Sequence, residues 1–432
     1  MASPSFIELG VPSTLASVLR DTGASDPFPI QAQTLPDSLA GRDVLGRGKT
    51  GSGKTLAFAI PLVARLAGSG DTHSRGRRHP RGLVLAPTRE LATQIQATIA
   101  PLADACSLRT ITIFGGVSQN KQVAELNAGI DIIIACPGRL EDLLNQKLVD
   151  LSHTSITVLD EADHMADMGF LPTVTRILTR TPEDGQRLLF SATLDNGVDT
   201  LARRFLHDPV THSIDAPTNS VATMTHHVFE VTDPDAKKEL VHTLASGIGK
   251  RILFTRTKHQ AKRLAQQLTA AGIPAVDLHG NLSQNARDRN LAAFHEGAVR
   301  VLVATDVAAR GVHVDAVDLV VHVDPPAEHK AYLHRSGRTA RAGSSGDVAT
   351  IMLPEQAGDV RALLRAAGLS ITPIRVTSAS PEIRELVGEH APRITPAPRV
   401  NPSQPKRTSQ QPAPRPQRKR RRRPAAKTES GR

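Results

Sequence analysis

Tryptophan is absent, tyrosine occurs once, and aromatic residues make up 3% of the chain. So few rings argue against platforms on which nucleic-acid bases stack. Two cysteines, Cys106 and Cys136, cannot supply a disulfide framework or a zinc site with paired spacing, and they fit a reducing compartment. The remaining histidines show no ligand-like grouping along the chain, so structural roles are expected for them. No apolar run approaches the ~20 residues of a membrane span. The opening stretch MASPSFIELG lacks the basic-then-apolar layout of a leader. These absences lead to the expectation of a soluble, cytoplasmic protein without a membrane partner.

Charge is unevenly placed. The net formal charge of 432 residues is +11. Between Arg399 and Arg432 there are 12 Lys/Arg and one acid, Glu429, which leaves 41 basic and 41 acidic residues in the first 398. From about Pro392 onward Pro, Gln, Arg and Lys replace the apolar periodicity, so residues 392–432 are expected to be a disordered basic tail.

The neutral body has two stretches with the same rhythm. DVLGRG, GLVLAP, RTITIF, DIIIAC, ITVLD and RLLFSAT read as strands in the first, and HHVFEV, RILFTR, AVDLH, RVLVAT, DLVVHV and GDVATIML in the second. Helical patterns such as Leu56–Leu66, Arg89–Ala103, Ala261–Ala271 and Gln284–Phe294 fall between them. Near-continuous apolar strands alternating with helices predict parallel sheets covered on both faces. An α/β chain of two such units is expected, over 1–214 and 223–378, joined near DAPTNSVAT. A Gly-, Ser- and Arg-rich segment at 68–82 reads as an exposed loop in the first unit.

Two motifs carry the chemistry. GKTGSGKT has Gly48, four residues, then Gly53, Lys54 and Thr55, the spacing of a phosphate loop between a strand and a helix. Its backbone N–H groups (Thr50, Gly51, Ser52) can wrap phosphate oxygens, Lys54 reaches the β/γ phosphates, and Thr55 can ligate Mg²⁺. About a hundred residues on, the apolar run Ile156–Leu159 ends in Asp160, Glu161 and Asp163. Carboxylates at the end of a buried strand need positive partners. A metal–nucleotide complex meets that need: Asp160, at the end of a neighbouring strand, would hold Mg²⁺, and Glu161 would position and deprotonate an attacking water. Asp163 would face another loop. In HRSGRTAR, Arg335, Arg338 and Arg341 are three apart, so a helix would stack them on one face. Reaching across a cleft, two of these arginines would add positive charge to a transferring phosphoryl group.

With these pieces in place, residues 6–377 resemble the DEAD-box family of superfamily 2 RNA helicases. FPIQ is similar to the family's adenine-reading motif at 6–31, with Gln31 its glutamine and Phe6 its upstream aromatic. APTREL, GG and PGR resemble RNA-contacting motifs, which gives Pro87, Thr88, Arg89, Gly116, Pro137, Gly138, Arg139 and later Thr305 as RNA contacts. SAT, with Ser191 and Thr193, resembles the motif that links hydrolysis to strand separation, together with Asp163, His334 and Arg335. LFTRTK, TDVAARG and HRSGRTAR match the later motifs. By resemblance, Asp306 and Gly311 contact nucleotide, and Arg338 and Arg341 are the arginine fingers. About ten motifs in the family's order make the likeness specific. It implies two tandem RecA-like domains, a monomer that uses ATP and Mg²⁺, RNA as partner, and ribosomal-precursor or RNA-decay proteins as candidate protein partners.

Four positions depart from the pattern. Ala24 follows Gly23 where the family has a ring that packs on adenine. Lys49 stands where the family often has Gln or an acid, Cys136 where Thr is usual, and His313 where an Asp usually touches ribose. These positions bear on nucleotide affinity more than on hydrolysis. The expected activity is ATP-dependent separation of short RNA duplexes or remodelling of RNA–protein complexes, through the backbone and without sequence specificity. Two alternatives stay open: an ATP-gated RNA clamp that does not unwind, and a DNA-directed ATPase of the same superfamily.

Overall fold

The computed structural model describes residues 4–48, 51–68, 79–194, 196–214, 224–309, 317–339 and 346–394. The joint at 215–223, most of the Arg-rich loop, Lys49, Thr50, Gly311, His313, Arg341 and the basic tail beyond 394 lie outside these residues.

Within them the chain forms two seven-stranded sheets in which every pairing is parallel. The first holds β1 (Val44–Arg47), β2 (Gly82–Leu85), β3 (Thr110–Ile113), β4 (Ile132–Ala135), β5 (Ile156–Leu159), β6 (Gln186–Ser191) and β7 (Val210–Ser213), in the order β3-β4-β2-β5-β6-β1-β7. The second holds β8 (Met224–Glu230), β9 (Lys250–Phe254), β10 (Ala275–Leu278), β11 (Val301–Ala304), β12 (Val317–His322), β13 (Gly346–Met352) and β14 (Ile374–Arg375), in the order β10-β11-β9-β12-β13-β8-β14.

The apolar runs explain this arrangement. β2, β4 and β5 are buried along their whole length. Alternate residues feed opposite layers: Val84, Ile132, Ile134 and Val158 join one core, while Leu83, Leu85, Ile133 and Leu159 join the other. Period-two side chains buried on both faces are what a parallel sheet between helical layers requires. The twelve strands read from sequence are all present, with ends shifted by a residue or two. β7 and β14 were not foreseen, because both are edge strands with little burial to mark them.

The second sheet unit also runs past the expected limit at 378. Helix α16 (Pro381–Val387) buries Ile383 and Val387 in its core. Ala391 N–H then donates to Ser246 O, and Ile394 N–H to Gly272 O. Both sheets belong to one compact unit that ends at Ile394. No helix among the described residues is long and apolar enough to cross a membrane.

Candidate active site and nucleic-acid interface

The functional loops leave the carboxyl ends of the strands, where open parallel sheets place their ligand crevices. After β1 the phosphate loop turns into helix α3 (Lys54–Gly68). Gly53 has φ +87°, and a Cβ there would lie 2.6 Å from Gln31 Nε2, so a side chain would both strain the turn and displace its brace. Lys54 is buried and its Nζ donates to Gly48 O at 2.7 Å, which curls the side chain back over the loop. Gly48 N–H donates to Ser191 O at 3.1 Å, tying the loop to the end of β6.

The acids follow β5. This strand is not next to β1, contrary to expectation, because β6 lies between and pairs with both. Separation by one strand opens the crevice while keeping Lys54 close enough to act on both carboxylates. Burial pushes the Asp160 carboxyl up to about 7, against the pull of Lys54 and with Glu161 beside it adding to the rise. Burial would also raise Glu161. The hydrogen bond and charge of His164, joined by Lys54 and Arg338, instead bring it down to about 2. His164 Nδ1 faces Glu161 Oε2 at 3.1 Å, across the first turn of α7 (Ala162–Asp167). Glu161 itself adopts left-handed backbone, φ 50° and ψ 52°, a strained conformation for a residue with a side chain.

Asp163 meets a loop, as expected. Its Oδ2 accepts from Thr193 N–H at 3.0 Å and from Thr193 Oγ1 at 3.2 Å. Its own N–H donates to Ser191 Oγ, which donates in turn to Thr193 O. The two motifs are thus one hydrogen-bonded unit.

A cavity of about 490 Å³ joins Lys54, Thr55, Asp160 and Glu161 to Arg338 from the second sheet unit. The expectation of three arginines on one helical face does not hold. Helix α14 (His329–Ser336) stops before Gly337, so Arg335 is helical and Arg338 lies past its end, while Arg341 is outside the described residues. Arg335 turns inward, forks onto both oxygens of Asp306, and lies over the Phe254 ring. Arg338, past the helix end, bonds His334 O and faces the cavity. Asp306, expected to touch nucleotide, therefore gives both oxygens to Arg335.

On the expected adenine side, burial separates the two aromatic rings. Phe6 is buried in the same apolar core as Val11 and Leu15 and does not line the cavity. Gln31 has no exposed surface. Its Nε2 donates to Gly53 O at 2.9 Å and its Oε1 accepts from Phe28 N–H at 2.8 Å, so it braces the phosphate loop. Phe28, 54% exposed, is the ring that lines the cavity.

The expected RNA contacts also sit at strand ends. Gly116 (φ +76°) is exposed, and a Cβ there would collide with the Arg89 guanidinium. Arg89, the two glycines and Arg139 thus form one cationic corner with room for close backbone approach. One Arg139 nitrogen, Nη1, is buried without a hydrogen-bond partner. Gly138 is exposed and Thr305, after β11, is half-buried. Pro87, Thr88 and Pro137 are buried and shape turns: Thr88 caps α4 (Arg89–Ala105) by accepting from Leu91 N–H.

Sequence reasoning missed a bridge between the sheet units. Arg287 Nε, on α12 (Gln284–His295), donates to Glu90 Oε1 at 2.7 Å. Gln284 Oε1 accepts from Arg89 Nη1 at 3.1 Å. No local signal announces pairs nearly two hundred residues apart. The histidines were also misjudged: His79, Asp150 and His153 converge, although 71 residues separate the first from the second.

Residues 28–201 match the family model DEAD/DEAH box helicase, and residues 235–343 match Helicase conserved C-terminal domain. The chain is 40% identical over 388 residues to the chloroplastic DEAD-box ATP-dependent RNA helicase 3A of Zea mays, covering 88% of this chain and 51% of that protein. It is 40% identical over 345 residues to ATP-dependent RNA helicase RhlB of Pseudomonas aeruginosa, covering 79% of this chain and 87% of the relative. The chain belongs to the DEAD-box helicase family. A solved structure, S. cerevisiae Dbp5 bound to RNA and ADP BeF3, superposes with TM-score 0.76 at 29% identity, covering 89% of this chain and 99% of that one. The likeness identifies the two sheets as RecA-like. The chain spans about half to two thirds of the length of the plant DEAD-box relatives it matches first.

Proposed function

We propose that the chain is an ATP-dependent RNA helicase that separates short duplexes or remodels RNA–protein complexes without reading sequence. One observation carries the reading: a single cavity holds Lys54, Thr55, Asp160 and Glu161 from one RecA-like unit and Arg338 from the other. Phosphoryl transfer is catalysed mainly by positioning and by added positive charge. Lys54 would supply that charge from the first unit and Arg338 from the second. Arg341 is proposed as the second finger by family likeness.

The fit for Mg²⁺ is good, since Asp160 is buried and short of positive charge, and Thr55 lines the same cavity. Thr55 and Asp160 would hold the ion, which would neutralise phosphate charge. Glu161, kept ionised by His164, is a strong hydrogen-bond acceptor for water but a weak base at neutral pH. Orienting the attacking water is therefore its main proposed role. Asp163, Ser191 and Thr193 would relay the state of this site to the strand ends, and Arg335 would hold the arginine-bearing turn through Asp306.

RNA is proposed to lie along Arg89, Gly116, Gly138, Arg139 and Thr305, with guanidinium groups on phosphates. The yeast Dbp5 structure, named as bound to RNA, supports RNA over DNA. The units are proposed to divide at 215–223. A monomer in a reducing cytoplasm, with ribosomal-precursor or RNA-decay proteins as partners, completes the reading. Cys106 and Cys136 are free thiols, which suits that setting.

The test is Glu161→Gln, which keeps shape and one hydrogen bond but removes the charge. Turnover should be abolished while ATP and RNA still bind, and RNA release should slow. Turnover within a few-fold of the parent would remove Glu161 from this role.

A further inference from the structure

A second grouping lies at the opposite end of the first sheet. β2 and β5 are parallel neighbours with Gly82 opposite Ile156. His79 precedes Gly82 by three residues and His153 precedes Ile156 by three, so the register alone sets the two histidines side by side. The approach is fixed by backbone bonds: Ser155 N–H donates to Arg81 O at 2.8 Å, and Thr154 Oγ1 donates to Pro80 O. The imidazole centroids are 4.5 Å apart, with planes inclined at 34°. On the other side, Asp150 Oδ1 accepts from Ser152 N–H at 2.9 Å, and Thr154 N–H closes a turn onto Leu151 O. Leu151 is buried, which pins that turn to the core.

One ligand atom from each of His79, Asp150 and His153 lies within 4.8 Å of the other two. Donors around a tetrahedral zinc-type ion are about 3.3 Å apart, given bonds of roughly 2.0–2.1 Å. Asp150 and His153 are exposed and His79 half-buried, so side-chain rotation can close the gap without moving the anchored backbone. We propose that His79, Asp150 and His153 form a binding site for a zinc-class divalent cation. Two imidazoles and a carboxylate are the donor set that borderline ions of this class prefer over Mg²⁺ or Ca²⁺. The carboxyl ends of the same strands lead to Arg89 and Asp160, so the ion would be a staple at the amino ends, remote from the phosphate loop. The site is independent of the helicase reading.

The full chain, without a histidine tag, is titrated with CoCl2 and then ZnCl2, with no nucleotide present. One equivalent of cobalt should give visible absorption bands, and zinc should displace it. His79→Ala and His153→Ala should each weaken cobalt binding by roughly tenfold or more, and Asp150→Asn should weaken it as well. Zinc should raise the melting temperature of the parent, and this gain should vanish in the double variant His79→Ala/His153→Ala. Metal-free melting curves of parent and variants should coincide, as expected for surface positions. Cobalt binding of equal stoichiometry and affinity in the parent and the double variant would overturn the proposal. So would a parent chain that takes up no cobalt at millimolar concentration.

Discussion

Arg287 Nε donates to Glu90 Oε1 at 2.7 Å, joining α12 of the second RecA-like unit to α4 of the first. Both side chains are nearly buried, 11% and 8% exposed. Arg287 also donates to Ala308 O, so the guanidinium is held from within its own unit while it reaches across. Glu90 follows Arg89, itself bonded to Gln284. The cationic corner and the bridge are therefore one structure.

Removing either partner leaves an uncompensated, nearly buried charge, which is more costly than losing an exposed ion pair. If ATP and RNA draw the two units together over the cavity, Arg287→Ala is expected to weaken that closure and lower RNA-stimulated turnover on the order of tenfold, equivalent to about 1.4 kcal/mol. RNA-free turnover should change little. A double-mutant cycle with Glu90→Gln should show coupling. Equal loss with and without RNA would place the pair outside closure.

The acids give a pH prediction. The Asp160 carboxyl is raised to about 7 from an unfolded value near ~3.9. Between those values the folded chain keeps a proton that the unfolded chain loses. Stability from this site is thus present below ~4 and falls as pH rises toward 7. Glu161, lowered to about 2, acts oppositely: its contribution is present above ~4.3 and is lost as pH falls toward 2. Asp160→Asn should flatten the decline of nucleotide-free stability between pH 5 and pH 7, read from melting curves at several pH values. Mg²⁺–nucleotide binding near pH 6 should release a proton in the parent and none from this site in Asp160→Asn. Calorimetry in buffers of different ionisation enthalpy measures this. Removing Mg²⁺ should abolish that release.

Phe28 is the exposed ring in the cavity, whereas Ala24 is packed against the core at the end of α1 (Ser13–Asp21). Phe28→Ala should therefore raise the Michaelis constant for ATP about two- to tenfold, the loss of an aromatic contact of roughly 0.5–1.5 kcal/mol. Ala24→Phe should leave it nearly unchanged. A fall in that constant on introducing phenylalanine at 24 would show instead that the base lies over α1.

The folded unit extends to Ile394, past the expected start of the tail at 392. Ile394 N–H donates to Gly272 O, so a cut at 392 removes part of the folded unit. Deleting residues 395–432 should weaken RNA binding and flatten its salt dependence, by about 0.7 in slope per lost phosphate contact on single strands. Hydrolysis at saturating RNA should stay near the parent rate. A severalfold fall in that rate at unchanged affinity would make the tail part of the engine.

Much of the fold was legible because its strands are buried on both faces and read as unbroken apolar runs such as Ile132–Ala135. Edge strands with half-exposed residues, Val210–Ser213 among them, carry no such mark. At the site, Lys54, Asp160 and Glu161 were legible because phosphate chemistry demands fixed residue types at fixed local spacing. Arg338 was found, but its separation from Arg335 was not, since Gly337 ends the helix between them. Gln31 was expected to face the nucleotide but is fully buried, while Phe28 is exposed; burial of this kind is set by tertiary packing and not by the motif. Glu90–Arg287 and His79–Asp150–His153 depend on register and tertiary approach, which no local pattern records.

The central claim is that ATP hydrolysis across this cavity separates RNA strands. Displacement of a short tailed RNA duplex, with the matched DNA duplex alongside, tests it most directly. The account predicts displacement of RNA that requires ATP and is lost in both Glu161→Gln and Arg338→Ala, with hydrolysis stimulated by RNA and little by DNA. Hydrolysis stimulated equally by DNA, or RNA-stimulated hydrolysis without any displacement, would contradict it.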